Sequence, residues 1–185
     1  MNKTQQNLLK AFAGESQARN KYQFFAEKAR EEGYENIAAI FDETADNEKA
    51  HARRLMEFIG GYVETEGQLK IKPRGSLLEN LKEAMGGEHY ENTIMYPEFS
   101  KIAKEEGFDE ISKMFKEIGE VEEYHEARYK KLIADLENDK IFKKDSDVQW
   151  KCRNCGYVHT GKEAPDTCPA CGYARAYYEI RCENY

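Results

Sequence analysis

The chain contains 185 residues, of which 35 are acidic and 28 basic, so its formal net charge is −7 at pH 7. This balance, without a basic cluster, argues against nucleic acid as a partner. The longest unbroken apolar run, Ile37 to Phe41, is far too short to cross a membrane. The start of the chain lacks the layout of a secretory signal peptide, so we expect a cytoplasmic protein.

The spacing of apolar residues predicts four long helices in the first 138 positions. The first helix begins near Thr4, a residue type that favours helix N-termini, and ends at Gly33, and the second ends at Gly60-Gly61. The following segment, 61–75, contains Pro73 and has no helical period. Fully extended it would reach roughly 50 Å, the length of a helix of about thirty residues. We therefore predict a long crossover that leaves the second and third helices parallel.

The third helix opens with a capping box, Ser76 to Glu79, and Gly107 separates it from a fourth helix that ends near Asn138. The next residues, 139–148, are mostly polar and are predicted to form a linker. The sequence therefore predicts a helical bundle (1–138), a linker (139–148) and a small C-terminal module (149–185).

Ionisable residues interrupt the apolar face of each predicted helix. Glu48 and His51 on the second helix, and Glu122 and His125 on the fourth, lie three residues apart and thus share one helix face. Burying an uncompensated carboxylate costs several kcal/mol. No lysine or arginine occupies these apolar-face positions. Three further glutamates on the first and third helices also lie on the apolar face: Glu15, Glu88 and Glu91.

A pair of divalent metal ions would compensate these carboxylates and imidazoles, as in a carboxylate-bridged dimetal site inside four helices. A single Glu-x-x-His pair is common on an exposed helix face. Two copies on apolar faces, with further inward glutamates, favour the metal site instead. Glu123, Glu126 and His89 lie off the apolar face, and we predict that they are not ligands.

The predicted bundle is also an internal repeat. Tyr22 aligns with Tyr96 at an offset of 74 residues, whereas Glu15 aligns with Glu88 at 73. One extra residue therefore lies between Glu88 and Tyr96. A helix that must keep both flanks on the core face commonly absorbs such an insertion as a π-bulge. We predict a π-bulge there, which would also explain the second inward carboxylate, Glu91.

Two Cys-x-x-Cys pairs, Cys152/Cys155 and Cys168/Cys171, lie in the C-terminal module with twelve residues between them. A glycine follows each pair, and its positive φ would turn backbone N–H groups toward the thiolates. Four thiolates at this spacing form a tetrahedral site for iron or zinc, and spacing alone does not choose between them. Clustering of all cysteines after residue 150 favours metal over disulfides in a reducing compartment.

Together, the paired Glu-x-x-His motifs and the four cysteines resemble the rubrerythrin family over the whole chain. In that family a ferritin-like di-iron four-helix bundle precedes a rubredoxin-like domain. The resemblance implies a mainly α fold, two iron ions in the bundle and one iron on four thiolates, with zinc able to replace the latter in recombinant protein.

The resemblance also implies a role for each ligand in the bundle. Glu48 and Glu122 would bridge the two irons. Glu15 would be a terminal ligand of the first iron, and Glu88 and His125 would be terminal ligands of the second.

Two residues would exchange on the first iron, Glu91 binding in the oxidised state and His51 in the reduced state. Tyr22 and Tyr96 would lie beside the site. The mononuclear iron would be held by the four cysteines, Cys152, Cys155, Cys168 and Cys171.

The activity implied is the reduction of hydrogen peroxide to water in defence against oxidative stress. Electrons would come from NAD(P)H through a separate reductase or a rubredoxin, and the rubredoxin-like domain of one subunit would serve the bundle of another in a homodimer or larger assembly. Two alternatives remain open at this stage. One is a ferroxidase or iron-storage protein of the ferritin-like superfamily, and the other is a structural scaffold with a passive zinc ribbon.

Overall fold

Five α-helices and three short strands form the part of the chain that the computed structural model describes, residues 2–59 and 75–183. The helices are α1 (Lys3–Glu31), α2 (Glu35–Met56), α3 (Leu77–Tyr90), α4 (Tyr96–Glu105) and α5 (Asp109–Glu137). Within these described ranges, no helix combines the length and apolar character that a bilayer crossing requires. The predicted end of the second helix at Gly60-Gly61, and nearly all of the predicted crossover, lie outside them.

The helix boundaries at Gly33, Gly107 and Asn138 agree with the prediction, whereas α2 ends at Met56, before Gly60-Gly61, and α1 starts earlier than predicted. Asn2, not Thr4, is the N-cap, because the Asn2 Oδ1 accepts a 2.9 Å hydrogen bond from the Gln5 backbone N–H. Thr4 is buried in the first turn. The capping box at Ser76 is present with both of its hydrogen bonds, so the start of α3 is confirmed.

The two halves of the repeat cap each other's helices. Glu32, just after α1, accepts a 3.0 Å hydrogen bond from the Leu77 backbone N–H at the start of α3. Glu106, just after α4, accepts hydrogen bonds from the Thr4 backbone N–H at 2.8 Å and the Thr4 hydroxyl at 2.6 Å. Glu32 and Glu106 are equivalent in the repeat, so the two contacts are equivalent as well. Each provides an acceptor for one free first-turn N–H group, that of Leu77 in α3 and that of Thr4 in α1.

The direction of the helices confirms the crossover topology. A tight turn makes α2 antiparallel to α1, and hydrogen bonds from Tyr22 to Glu88 and from Tyr96 to Glu15 show that α1 and α3–α4 are antiparallel. Helices α2 and α3 are therefore parallel. The start of α3 lies beside Glu32 at the α1–α2 turn.

Between α3 and α4, residues Glu91–Met95 form a π-helical turn. Helices α3 and α4 are thus the two halves of the predicted third helix, and the described part of the bundle has four helices. The predicted π-bulge is thus confirmed at the predicted place. The wider turn absorbs the extra residue, so that Glu88 before it and Tyr96 after it are both buried, at 1% and 0% exposure.

Two apolar clusters occupy the two ends of the bundle. One contains Phe25, Phe41 and Leu81, and the other contains Leu8 and Phe115. The inward ionisable residues lie between these clusters.

The C-terminal module is a three-stranded antiparallel sheet with strand order β2-β1-β3. Its strands are β1 (Lys143–Cys152), β2 (Val158–Glu163) and β3 (Tyr178–Ile180). Trp150 is fully buried at its centre, and the indole N–H donates a 2.9 Å hydrogen bond to the Gly161 carbonyl.

The segment predicted as a linker, 139–148, is more ordered than its polar composition suggests. Strand β1 already begins at Lys143, and Ile141 is buried in the core cluster of the bundle. The Phe142 ring stacks on Tyr34 with ring centroids 5.7 Å apart and planes at 9°. These two apolar side chains hold the module against the end of its own bundle at the α1–α2 turn.

Insertion of one alanine after Thr93, an exposed residue of the π-helical turn, should reduce metal binding. Each residue added to a helix rotates the flanking segments by about 100° relative to each other, and the π-helical turn already absorbs one extra residue, so Glu88 and Tyr96 would no longer share the core face. We expect a helical protein by circular dichroism whose bundle binds less than its full complement of Co²⁺. Thr93→Ala keeps the register and should bind as the parent does; full binding by the insertion variant would contradict the role given to the π-turn.

Candidate metal centres

Six of the seven predicted inward side chains converge between the two apolar clusters. They form two overlapping groups, and within each group one donor atom per residue lies within 4.8 Å of all the others. Glu48 and Glu122 belong to both groups. The first group is Glu15, Glu48, His51 and Glu122, and the second is Glu48, Glu88, Glu122 and His125.

Glu91, the seventh residue, belongs to neither group. It begins the π-helical turn and is only half-buried. Its Oε1 lies 4.0 Å from the position that a Cβ atom on Gly14 would occupy, which places the carboxylate next to Glu15 and thus beside the first group.

The two shared carboxylates each turn one oxygen toward each imidazole. His51 Nδ1 lies 3.0 Å from Glu48 Oε2 and 3.1 Å from Glu122 Oε1. His125 Nδ1 lies 2.8 Å from Glu122 Oε2 and 3.5 Å from Glu48 Oε1. Carboxylates that divide their oxygens in this way can each contact two cations at once.

The donor atoms of both groups lack hydrogen bonds within the part of the chain described. Buried polar atoms are normally satisfied, so a cluster of unsatisfied ones requires an explanation. Carboxylate oxygens and imidazole nitrogens that face one another are a donor set that suits iron. The residues present therefore fit a pair of metal ions. The unsatisfied atoms are both oxygens of Glu48 and Glu122, Oε2 of Glu15 and Glu88, and Nδ1 of His51 and His125.

Two buried tyrosines orient the outer carboxylates across the repeat. The Tyr22 hydroxyl donates to Glu88 Oε1, and the Tyr96 hydroxyl donates to Glu15 Oε1. The Oε2 atoms of the two glutamates stay unpaired and point toward the cluster. Burial raises the pKa of both tyrosines well above its usual range, with the charges of Glu88 and Glu15 as the next cause, so both phenols remain neutral donors.

Burial and mutual contact change the ionisation of the cluster. Burial raises the pKa of Glu48 to about 8, and the neighbouring carboxylate of Glu122 adds to the increase. Burial alone would lower the pKa of His51, but the surrounding carboxylates raise it to about 12. In the same way, contact with Glu122 and Glu88 outweighs burial and raises the pKa of His125 to about 10. Without metal, both imidazoles are therefore protonated at neutral pH.

The sequence did not reveal Asn47, which touches the second group from α2. Its Oδ1 lies 3.2 Å from His125 Nε2, the ring nitrogen that faces away from the carboxylates. Asn47 lies beside Glu48 but off the apolar face, so helical periodicity gave no signal for it. The general need of a ligating histidine for an outer hydrogen-bond partner was the available clue. His89 contacts Glu126 at 3.0 Å and lies outside both groups.

The four cysteine sulfur atoms of the C-terminal module also lie within 4.8 Å of one another. The Sγ atoms of Cys152 and Cys171 are 3.8 Å apart, and those of Cys155 and Cys168 are 3.7 Å apart. A tetrahedron with metal–sulfur bonds of about 2.3 Å has edges of about 3.8 Å. The sulfur atoms are therefore already spaced for one tetrahedral ion.

The two glycines after the cysteine pairs have the predicted backbone conformation. Gly156 has φ +82° and Gly172 has φ +76°, values that favour glycine. Their N–H groups donate to the carbonyls of Cys152 at 2.9 Å and Cys168 at 2.8 Å, closing both turns. The fifth cysteine, Cys182, is exposed and lies outside the sulfur cluster.

A four-helix bundle with a crossover and a carboxylate–histidine dimetal site, followed by a four-cysteine module, defines a ferritin-like di-iron protein with a rubredoxin-like domain. The family model described as Rubrerythrin matches residues 6–133, and the model described as Rubrerythrin, rubredoxin-like domain matches residues 150–179. The chain belongs to the rubrerythrin family. Members of this family are generally oxidoreductases.

Full-length relatives agree with this assignment. The chain is 49% identical over 184 residues to the rubrerythrin of Porphyromonas gingivalis, covering 99% of this chain and 92% of that protein. It is 43% identical over 189 residues to the rubrerythrin of Nitratidesulfovibrio vulgaris, covering 99% and 96%. A structure of partially reduced nigerythrin superposes with a TM-score of 0.67 at 32% identity, covering 98% of this chain and 88% of the other. A bacterioferritin of Mycobacterium tuberculosis shares the fold. It superposes with a TM-score of 0.63 at 16% identity, covering 75% of this chain and 90% of the other.

Metal binding to the bundle should release protons. Both imidazoles have pKa values above 7 in the metal-free protein, about 12 for His51 and about 10 for His125, and a ligating nitrogen must lose its proton. Glu48, with a pKa of about 8, must lose its proton as well. We therefore expect release of about three protons per chain at pH 7, and an affinity that rises with pH and falls in acid. Calorimetric Co²⁺ titration in buffers of different ionisation enthalpy measures the count, with the cysteine site loaded beforehand.

The control for this titration is His89→Gln, because His89 is exposed and lies outside both groups. This variant should release the same number of protons as the parent. A heat of binding that is independent of the buffer would contradict the ionisation state deduced for the imidazoles.

Proposed function

We propose that the chain is a non-haem di-iron peroxidase that reduces hydrogen peroxide to water in defence against oxidative stress. The observation that supports this most directly is the combination, in one chain, of the buried carboxylate–histidine groups and the four-sulfur cluster. Reduction of one H₂O₂ to two H₂O consumes two electrons and two protons. When bound, two ferrous ions supply both electrons at once, and the tetrathiolate iron supplies single electrons that restore them.

The geometry supports a distinct role for each carboxylate in the bundle. Glu48 and Glu122 would bridge, since each presents one oxygen to each imidazole. Glu15 and Glu88 would be terminal ligands through Oε2, because a tyrosine occupies Oε1 of each. The tyrosines would hold these carboxylates in place and keep their own protons at the phenolic oxygens.

Glu91 and His51 would exchange at the first iron. Glu91 lies beside the first group without belonging to it, so it is near enough to enter after a side-chain movement. A hard anionic oxygen suits the higher charge of the oxidised metal, and a neutral imidazole suits the reduced one. His125 would stay on the second iron in both states.

Among the described residues, a cleft of about 460 Å³ between α2 and α5 leads to the first group. We name it the His51 cleft; its walls include His51 and Arg54 of α2 and Met114, Ile118 and Val121 of α5. It is the route by which a small polar molecule such as hydrogen peroxide would reach the first iron. Its mainly apolar inner wall would limit the amount of water that enters with the substrate.

The rubredoxin-like domain would pass electrons from a separate NAD(P)H-linked reductase or a rubredoxin to the bundle. Within one chain the domain is anchored at Tyr34, and Glu48 lies fourteen residues further along α2, about 21 Å at 1.5 Å per residue. A head-to-tail homodimer or larger assembly would allow the domain of one subunit to approach the bundle of another. We propose that electrons are delivered between subunits in this way.

Anaerobic single turnover tests the proposal and separates the two domains. The fully reduced parent should consume hydrogen peroxide rapidly and return to the reduced state when the reductase is supplied. Cys152→Ser removes one thiolate of the sulfur cluster. The chemically reduced variant should still oxidise its bundle with one equivalent of peroxide, but enzymatic re-reduction should be lost. Iron absorption in the visible range and peroxide consumption measure both steps.

Cys182→Ser is the matched control, because Cys182 is exposed and outside the cluster, and it should behave as the parent does. A bundle that reacts with oxygen in preference to peroxide, and accumulates ferric mineral beyond three irons per chain, would establish the ferroxidase alternative instead.

Glu91→Ala tests ligand exchange at the first iron. Both irons should remain bound, because Glu91 lies outside the two four-residue groups. Single-turnover oxidation by peroxide should slow by about tenfold or more, equivalent to about 1.4 kcal/mol. Stopped-flow absorbance and iron quantification measure the two quantities. Glu123→Ala, an exposed residue next to Glu122, should change neither, and an unaltered rate in Glu91→Ala would exclude the exchange.

A further inference from the structure

The two imidazoles of the bundle are equivalent in the repeat but differ in their outer contacts. His125 Nδ1 faces the carboxylates, 2.8 Å from Glu122 Oε2, and its Nε2 lies 3.2 Å from Asn47 Oδ1. A carboxamide oxygen only accepts hydrogen bonds, so Nε2 carries the proton that Asn47 accepts. This contact fixes the ring orientation and leaves Nδ1 as the metal-binding atom.

His51 has no comparable contact. Adding the repeat offset of 74 to position 47 gives Val121, whose side chain has no acceptor. Val121 and His51 line the same cleft, and within residues 2–59 and 75–183 no hydrogen bond reaches His51 Nε2. The His51 side chain is 13% exposed, compared with 3% for His125. The first imidazole is thus less restrained than the second.

A second break in the repeat occurs at the same metal site. The π-helical turn brings Glu91 next to Gly14 and Glu15, beside the first group. Subtracting the offset of 73 from position 91 gives Ala18 on α1, which has no carboxylate. The imidazole without a hydrogen bond at Nε2 and the additional carboxylate therefore both lie at the first site. The imidazole that Asn47 restrains lies at the second.

We propose that positions 47 and 121 decide which of the two otherwise equivalent sites exchanges a ligand. Asn47 is a positioning residue that holds His125 on the second iron. Val121 withholds the same restraint from His51, which is then free to leave the first iron when Glu91 enters. The part that concerns His51 rests on the exchange proposed above, whereas the part that concerns Asn47 does not.

The role of Asn47 is tested by anaerobic Co²⁺ titration of the full chain, with iron already bound to the cysteine site. Loss of an outer hydrogen bond to a ligating histidine typically lowers metal affinity by about 10- to 100-fold. Asn47→Ala should weaken one of the two bundle ions by this factor and leave the other at the parental affinity. Asn47→Asp retains an acceptor oxygen and should restore binding. Parental affinity for both ions in Asn47→Ala, or equal weakening of both, would overturn this role.

The role of Val121 is tested by giving His51 the missing acceptor. Crystal structures of reduced and oxidised parent, Val121→Asn and Val121→Ala would show whether His51 is bound in each state. We expect His51 on the first iron only in the reduced parent and reduced Val121→Ala, but in both states of Val121→Asn. Exchange in Val121→Asn as complete as in the parent would refute the proposal. A parent that retains His51 when oxidised would refute the exchange itself, and the Co²⁺ titration would still decide the role of Asn47.

Discussion

The burial of four glutamates and His125, with the partly buried His51 beside them, between two apolar layers is the constraint on which the rest of the structure depends. Hydrocarbon on both sides cannot solvate this charge, and the carboxylates carry more negative charge than two imidazolium groups neutralise. The carboxylate oxygens and imidazole nitrogens that carry this charge face one another and lack hydrogen bonds. Stability of the bundle and binding of metal are therefore coupled, and each outer contact, such as the tyrosine–glutamate pairs, also tunes the site.

Much of the fold and the site was predictable because helical periodicity determines which residues share one face of a helix. Glutamates at apolar-face positions, such as Glu48 and Glu122, had to be buried if the helices formed at all. The difference between offsets of 73 and 74 residues located the π-helical turn without any structural information. The cysteine spacing likewise predicted a sulfur cluster, since two Cys-x-x-Cys turns brought together place four thiolates around one point.

Other features were not predictable, because they depend on contacts between residues far apart in sequence. Asn47 reaches His125 from another helix, and nothing in its own segment indicates that contact. Ile141 and Phe142 lie in a polar stretch that looks like a linker, and only the position of Tyr34 gives them a partner. The predicted start of α1 was wrong by two residues because Thr4 and Asn2 are both good N-caps. The Thr4 hydroxyl instead donates a hydrogen bond to the distant Glu106, and Asn2 is the cap.

The exchange of caps between the two halves has a consequence for how the bundle is held together. Glu32 from the first helical hairpin closes the start of α3, and Glu106 from the second closes the start of α1. Each first helix has its own side-chain cap, Asn2 for α1 and Ser76 for α3, but the backbone N–H of Thr4 or Leu77 finds its acceptor on the other hairpin. A separated hairpin would lose this acceptor and fray more easily at that end, and the severed halves would regain it by recombining as two fragments that complement each other. Because both hairpins belong to one chain, they associate within the molecule, and their association does not depend on protein concentration.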